Sequence, residues 1–410
     1  MFEDLLRKYA KLAVKMGVNI QKDQILRIRA PLEAAALVHY CQEEAYELGA
    51  RKVLLDYNDE IASKIDLKMA DSEVLCEFPK YKEEELHYLI NERTAVLNIY
   101  CETPGLLNDI DPTKMQKVMQ ARAINNRPYQ EYNLSNKGQW SIISYPCTGW
   151  AQKVFPELDS KEAVEKLWEN IFYSSRVAKD SDPIKAWKDH NETLANRTQK
   201  LNDYNFDYLT FKNSLGTDLK VHLAINHRWA GGCEKTVNDV IFNPNIPSEE
   251  CFCMPLKTKV EGKVVASKPL NYQGKLIEDF WLVFKEGKVV DYYAKKEREA
   301  LSNIIEFDEG SSYLGEVALI PYDSPISNTG ILFYNTLFDE NASCHLALGS
   351  AFTMNIKEVS KYNEEELKGF GYNKSLAHED FMFGSEDMLI NGYTFAGQEI
   401  AVFKEGNFVF

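Results

Sequence analysis

The chain has 410 residues, enough for about two domains of roughly 100–200 residues each and too many for a single small module. Apolar residues make up 45% and charged residues 27%, the balance of a globular chain with a large core, which excludes a disordered or fibrous protein. With 62 acidic against 47 basic residues the net charge is −15; this field repels phosphate and attracts cations, so nucleic acid and anionic membranes are not expected partners.

The chain opens Met1-Phe2-Glu3-Asp4, with acids where a secretion signal carries basic and then apolar residues. No window approaches the roughly 18 consecutive apolar residues of a membrane span, and the expectation is a cytoplasmic protein. Phe2, Leu5, Leu6, Tyr9, Leu12, Ala13 and Met16 recur at helical spacing, with Gly17 placed as a C-terminal cap, which predicts one opening helix. Residues 25–28 read as a strand, Pro31 as the start of an Ala-rich helix ending near Gly49, and residues 52–56 as a second strand. Further strands are expected at 95–101 and 140–145, with helices between and after them. This order predicts an N-terminal α/β domain with a mostly parallel sheet over residues 1–198. The turn at Arg29–Pro31 carries none of the glycines of a dinucleotide or phosphate loop, so no nucleotide site is expected there.

A charged helical stretch at 161–200 connects the halves. From about Tyr204 the pattern changes to short strands, at 209–212, 219–223, 260–265 and 281–293, with Glu261-Gly262 and Glu286-Gly287 read as hairpin turns. Residues 283–290 have a near copy at 402–409, which two hairpins of one type explain better than a true repeat. A short acidic helix is expected at about 363–368. The second domain, 199–410, is therefore α+β, mainly β with a few helices. The eight Cys include no Cys-x-x-Cys pair and read as reduced, mostly buried thiols, with Cys251 and Cys253 on one face of a strand.

Of the seven His, only His345 and His378 have telling neighbours. His378-Glu379-Asp380 is H-x-D, and on an extended backbone residues two apart point the same way, so imidazole and carboxylate can hold one cation together. His345 follows Asp339-Glu340-Asn341, and Glu249-Glu250 lies upstream. Glu316 sits inside the apolar run Tyr313-Leu-Gly-Glu-Val-Ala-Leu-Ile320; a carboxylate in a buried strand costs several kcal/mol unless it is paired or coordinates a metal. Two His with several carboxylates and no thiolate make a mixed N/O set suited to Zn²⁺, Co²⁺ or Mn²⁺.

Asn245-Ile-Pro-Ser-Glu-Glu250, Gly315-Glu316, Asp339-Glu-Asn-Ala-Ser-Cys-His345-Leu-Ala-Leu-Gly349 and Ser375-Leu-Ala-His378-Glu-Asp380 resemble, in order and spacing, the M29 family of metallo-aminopeptidases over essentially the whole chain. That resemblance implies two divalent ions in the C-terminal domain, cleavage of N-terminal residues from peptides with a free N-terminus, and a homodimer. Position by position it implies Glu250, Glu316, His345, His378 and Asp380 as ligands, Glu316 as the bridge and Glu340 as a further ligand. The proton of the attacking water then goes to Glu316 or to an unligated Glu249. One position departs: the family has Tyr seven residues after the first His, as a donor to the developing oxyanion, and here it is Phe352. The loss of that hydroxyl implies weakened or redirected activity unless Tyr362 or Tyr372 replaces it.

Three other readings compete with this one. A mononuclear Fe(II) oxygenase needs a second His after H-x-D, and His378 is the last His. A dinuclear hydrolase of another substrate, and a weakly active peptidase-like binding protein, stay open on the residues alone.

Overall fold

The computed structural model describes residues 2–410. It divides into two compact units, residues up to 189 together with Cys233–Pro247, and His190–Gly232 together with Ser248–Phe410. The division at 189/190 and the boundary expected at 198/199 both fall within one helix, Pro183–Tyr204.

The first unit is built on a four-stranded parallel sheet of β1 (Ile25–Pro31), β2 (Lys52–Asn58), β3 (Ala95–Tyr100) and β4 (Trp140–Ser144), in the order β2-β1-β3-β4. The opening helix is shorter than its apolar spacing predicts. It runs Phe2–Leu12 and then widens into a π-helical turn, Ala13–Gly17, closed by Val18 N–H donating to the Ala13 carbonyl at 2.9 Å. Pro31 does not open a helix: its extended backbone (φ −67°, ψ 153°) ends β1, a 3₁₀ turn follows at Leu32–Ala34, and the Ala-rich helix is Ala35–Glu47. Cys233–Pro247 joins this unit by adding beside β4, with Ile142 N–H donating to the Pro244 carbonyl (2.7 Å) and Ile246 N–H to the Ile142 carbonyl (3.0 Å). Sequence order gives no sign of that return.

The second unit contains a nine-stranded sheet and a four-stranded antiparallel sheet that carries the chemistry. The smaller sheet consists of β5 (Cys251–Cys253), β6 (Leu314–Leu319), β7 (His345–Gly349) and β8 (His378–Met382), in the order β8-β7-β6-β5. In the larger sheet, Lys275–Lys285 and Lys288–Lys296 form a two-residue hairpin with both turn residues at positive φ (Glu286 50°, Gly287 81°), as a type I′ turn requires. Glu405 and Gly406 do the same (50° and 69°) between Glu399–Lys404 and Asn407–Phe408, which accounts for the sequence echo. Glu261-Gly262 is not a turn. It lies inside the strand Pro255–Val265, and a Cβ on Gly262 would sit 2.2 Å from the Asp218 carbonyl oxygen; the glycine serves close backbone approach. Among the described residues no helix is long and apolar enough to cross a membrane. All eight Cys are free thiols, six of them buried.

Candidate metal centre

Strand alternation separates the two faces of the β5–β8 sheet. Val317, Leu319, Leu346, Leu348 and Phe381 enter the unit's apolar core, and their alternates on the opposite face are Glu316, His345, His378 and Asp380. The ladder leaves room for these longer side chains. Glu316 and Asp380 both pair with Ala347, His378 pairs with Gly349, and His345 has Ala318 beside it. Glu250 enters from the residue before β5, and Glu340 from the 3₁₀ turn Glu340–Ala342 ahead of β7.

The side chains converge on two groups that share one member. Potential ligand atoms of Glu250, Glu316 and His345 lie within 4.8 Å of one another, as do those of Glu316, His378 and Asp380. Glu316 spans them: its Oε1 is 3.4 Å from His345 Nε2 and its Oε2 is 3.5 Å from His378 Nε2. Glu250 Oε2 is 3.6 Å from His345 Nε2, and Asp380 Oδ1 is 3.6 Å from His378 Nε2 and 3.8 Å from His345 Nε2. These separations are long for hydrogen bonds and close to the edge of about 3.3 Å of a tetrahedron with bonds of about 2.0 Å. Asp380 Oδ1 is buried and accepts no hydrogen bond.

Both imidazoles are oriented for ligation. His345 Nδ1 bonds the Glu340 carbonyl at 2.8 Å, and His378 Nδ1 bonds the Ser350 carbonyl at 2.7 Å. A ring that donates from Nδ1 presents Nε2 to a cation. Glu316 is 4% exposed and His345 1%, so the charges are held out of water and must be compensated within the cluster.

Burial and mutual repulsion shift the proton affinities of these groups. Burial and then the Glu316 charge push the Glu250 carboxyl up to about 8. Burial, with Asp380 and Glu250 close by, holds Glu340 well above the usual range. For the imidazoles burial acts downward, but the Glu316 carboxylate and the Asp380 charge outweigh it at His345, and Asp380 with Glu316 at His378, so that both stand near 10. Burial raises Asp380 too, yet the His378 charge holds it below its ordinary value. Carboxylates that outnumber the imidazoles and are crowded together, with raised proton affinities at Glu250, Glu340 and both His, form a donor set in which divalent metal can take the place of the bound protons.

Glu340 borders the cluster, hydrogen-bonded through Oε1 to Asn341 Nδ2 (3.3 Å), but belongs to neither three-residue group. Glu249, though adjacent to Glu250, is buried elsewhere, with its Oε2 3.8 Å from His190 Nε2. Phe352 is 36% exposed, its ring 4.7 Å from that of His378 and 6.1 Å from that of Phe252. Tyr362 and Tyr372 pack into an apolar cluster with Ala351 and Phe370. Beside the ligands a concavity is lined by Leu270, Asn271, Tyr334 and Asn335, with Glu340 and Asp380 in its wall. The sequence reading missed the supports behind the ligands, the Glu340 and Ser350 carbonyls and the buried Asn341 and Asn373. Backbone carbonyls leave no mark in a sequence, and asparagines outside strand and helix patterns read as turn residues.

Known proteins resemble the chain over its whole length. Residues 2–408 match the sequence profile of the thermophilic metalloprotease family M29. The chain is 44% identical over 409 residues to Aminopeptidase 2 of Geobacillus stearothermophilus, covering 100% of this chain and 98% of that one. The solved structure of wild-type AmpT from Thermus thermophilus matches with a TM-score of 0.93 at 36% identity, each chain covered completely. A 2,5-dihydroxypyridine dioxygenase from Pseudomonas putida KT2440 matches over 99% of this chain and 97% of its own, with a TM-score of 0.54 at 12% identity, a likeness of fold alone.

Proposed function

The chain belongs to the M29 family of metalloproteases and is a metal-dependent aminopeptidase; from that premise we propose that its cluster holds two divalent ions, Zn²⁺, Co²⁺ or Mn²⁺, in each chain. In this reading Glu250 and His345 would hold one ion and His378 and Asp380 the other, Glu316 would be shared between them, and Glu340 would be a further ligand. The observation that carries it is the shared carboxylate, with one Glu316 oxygen directed at each imidazole. When bound, such a pair lowers the pKa of a water toward about 7, polarises the scissile carbonyl and takes the free α-amine of the substrate.

The chain's own residues do the rest. The Nδ1 bonds of His345 and His378 fix both rings before any ligand arrives, so little orientation is left to be lost on binding. The apolar core on the other face of the sheet holds in place the strands that present Glu316, His345, His378 and Asp380. Glu316 is the carboxylate positioned to accept the proton of the attacking water; the His190 contact of Glu249 argues against that residue. The neighbouring concavity, lined by Asn271, Tyr334 and Asn335, borders the ligands on the Glu340 and Asp380 side. A dinuclear hydrolase of another substrate and a weakly active peptidase-like binding protein are not favoured by family membership. We further propose a cytoplasmic homodimer, to be checked by sedimentation.

Metal content of purified wild type beside Glu316→Ala tests the site, and aminoacyl-p-nitroanilides with their N-acetylated counterparts test the reaction. About two ions per chain, clearly fewer in the variant, with cleavage only of free N-termini, is the expected result. Carefully loaded wild type that holds no ion would overturn the ligand assignment.

A further inference from the structure

Two fully buried asparagines stand behind the cluster, one at each half. Asn341, 0% exposed, accepts at Oδ1 from the Glu249 N–H (2.8 Å) and donates from Nδ2 to the Leu337 carbonyl (3.1 Å) and to Glu340 Oε1 (3.3 Å). The first bond fixes the backbone directly before Glu250. The third holds the carboxylate of Glu340, whose own carbonyl orients His345. Asn341 therefore touches the supports of Glu250, Glu340 and His345, and none of its three side-chain bonds reaches His378 or Asp380.

Asn373, also 0% exposed, is placed in the corresponding way behind His378. Its Nδ2 donates to the Gly349 carbonyl (2.6 Å) and the Gly310 carbonyl (2.9 Å), and its backbone carbonyl accepts from Ala351 N–H (2.9 Å). These bonds bracket Ser350. The Ser350 carbonyl takes His378 Nδ1, and its N–H donates to the Ala377 carbonyl (2.7 Å), one residue before that ligand. Asn373 Oδ1 is buried without a partner, a cost that an apolar residue would avoid; the amide is present for its donors.

We propose that Asn341 and Asn373 are positioning residues that set the affinities of the two ion sites separately, Asn341 for the ion on Glu250 and His345 and Asn373 for the ion on His378 and Asp380. The proposal rests on the two-ion reading above. The physical reason is pre-organisation: each amide holds an irregular segment that has no ladder of its own, and without it the ligands regain freedom that binding must remove. Loss of such outer hydrogen bonds typically weakens metal binding roughly 10–100-fold.

The test is titration of the metal-stripped full chain with Zn²⁺ against a chromophoric chelator. Glu250→Gln and Asp380→Asn mark which binding step belongs to which half. Asn341→Ala is expected to weaken the step that Glu250→Gln weakens, by roughly 10–100-fold, and to leave the other. Asn373→Ala is expected to do the reverse. If an alanine variant fails to fold, Asn341→Asp and Asn373→Asp keep the side-chain size while removing the Nδ2 donors, and the same selective loss is expected. A purely structural role would lower thermal stability and move both steps together. Equal weakening of both steps by either variant, or no change, overturns the proposal and leaves the two-ion reading standing. Wild type that saturates with fewer than two ions overturns both.

Discussion

Phe352 stands where the family resemblance implies a tyrosine, and its position makes that difference testable. The ring lies against His378 and has no hydrogen to offer a developing oxyanion, a donor worth roughly 10²–10³ in kcat in other hydrolases. Phe352→Tyr is expected to raise kcat on aminoacyl-p-nitroanilides toward that range with little change in metal content. An unchanged kcat would mean that the hydroxyl is not what this site lacks. A second prediction concerns His227, 2% exposed, with Nδ1 bonded to the Ala224 carbonyl (3.0 Å) and Nε2 without a partner. Burial pushes its imidazole down to about 4, against the small upward pull of the Ala224 bond and with Lys357 adding to the fall. The folded group stays neutral while the unfolded one charges below about 6.5, so its contribution is intact above that pH and stability falls between about 6.5 and 4. At about 1.4 kcal/mol per unit, the total is roughly 3 kcal/mol. Urea unfolding of metal-free wild type and His227→Gln should show the gap between them shifting against wild type over that window; parallel curves would remove His227 as the cause. At this scale the sequence was informative where chemistry conflicts with pattern. Glu316 stands out because a carboxylate interrupts an apolar run. Asn341 does not, because asparagine beside Ala and Ser is ordinary loop composition, and only the fold reveals that its amide is fully used.

At the scale of elements, what was legible depended on whether one local rule decided the outcome. H-x-D was readable because alternation in β8 alone puts His378 and Asp380 on one face. Glu286-Gly287 was readable because two positive-φ residues between strands make a hairpin turn. Glu261-Gly262 has the same dipeptide and a different fate: the close Asp218 carbonyl belongs to a neighbouring strand, information no local window contains. Pro31 failed as a helix start for a related reason, since its fixed φ serves an extended strand end as well as a first helical turn. Ala347 was likewise silent, yet it lies between Glu316 and Asp380 in the ladder. Ala347→Leu is expected to crowd the ligand face, costing about 1–3 kcal/mol of stability and abolishing ion uptake under conditions where the variant is still folded. Metal content and thermal melting, measured on one sample, check this; a variant that retains its full complement of ions would show that the small side chain is not required.

For the whole molecule, the sequence foretold the change from alternating helix and strand to short antiparallel strands but not the return of Cys233–Pro247 to the first unit. That return rests on backbone bonds to β4 and to the Met16 and Gly17 carbonyls, and backbone pairing over such a separation carries no side-chain signature. The division has a thermodynamic consequence. The cluster lies in the unit formed by His190–Gly232 and Ser248–Phe410, so ion binding stabilises that unit first. Occupancy at 100 times Kd adds about 2.7 kcal/mol per ion to a fold that binds metal only when native. Chelation should therefore speed amide hydrogen exchange in peptides covering β6, β7 and β8, where carboxylates in excess lose their counter-charge, while the β1–β4 peptides keep their protection. Re-addition of Zn²⁺ should restore the difference. Exchange that rises equally in both units would mean that the chain opens as one cooperative block, and exchange unchanged everywhere would mean that the ions contribute nothing to the stability of the sheet that is to hold them.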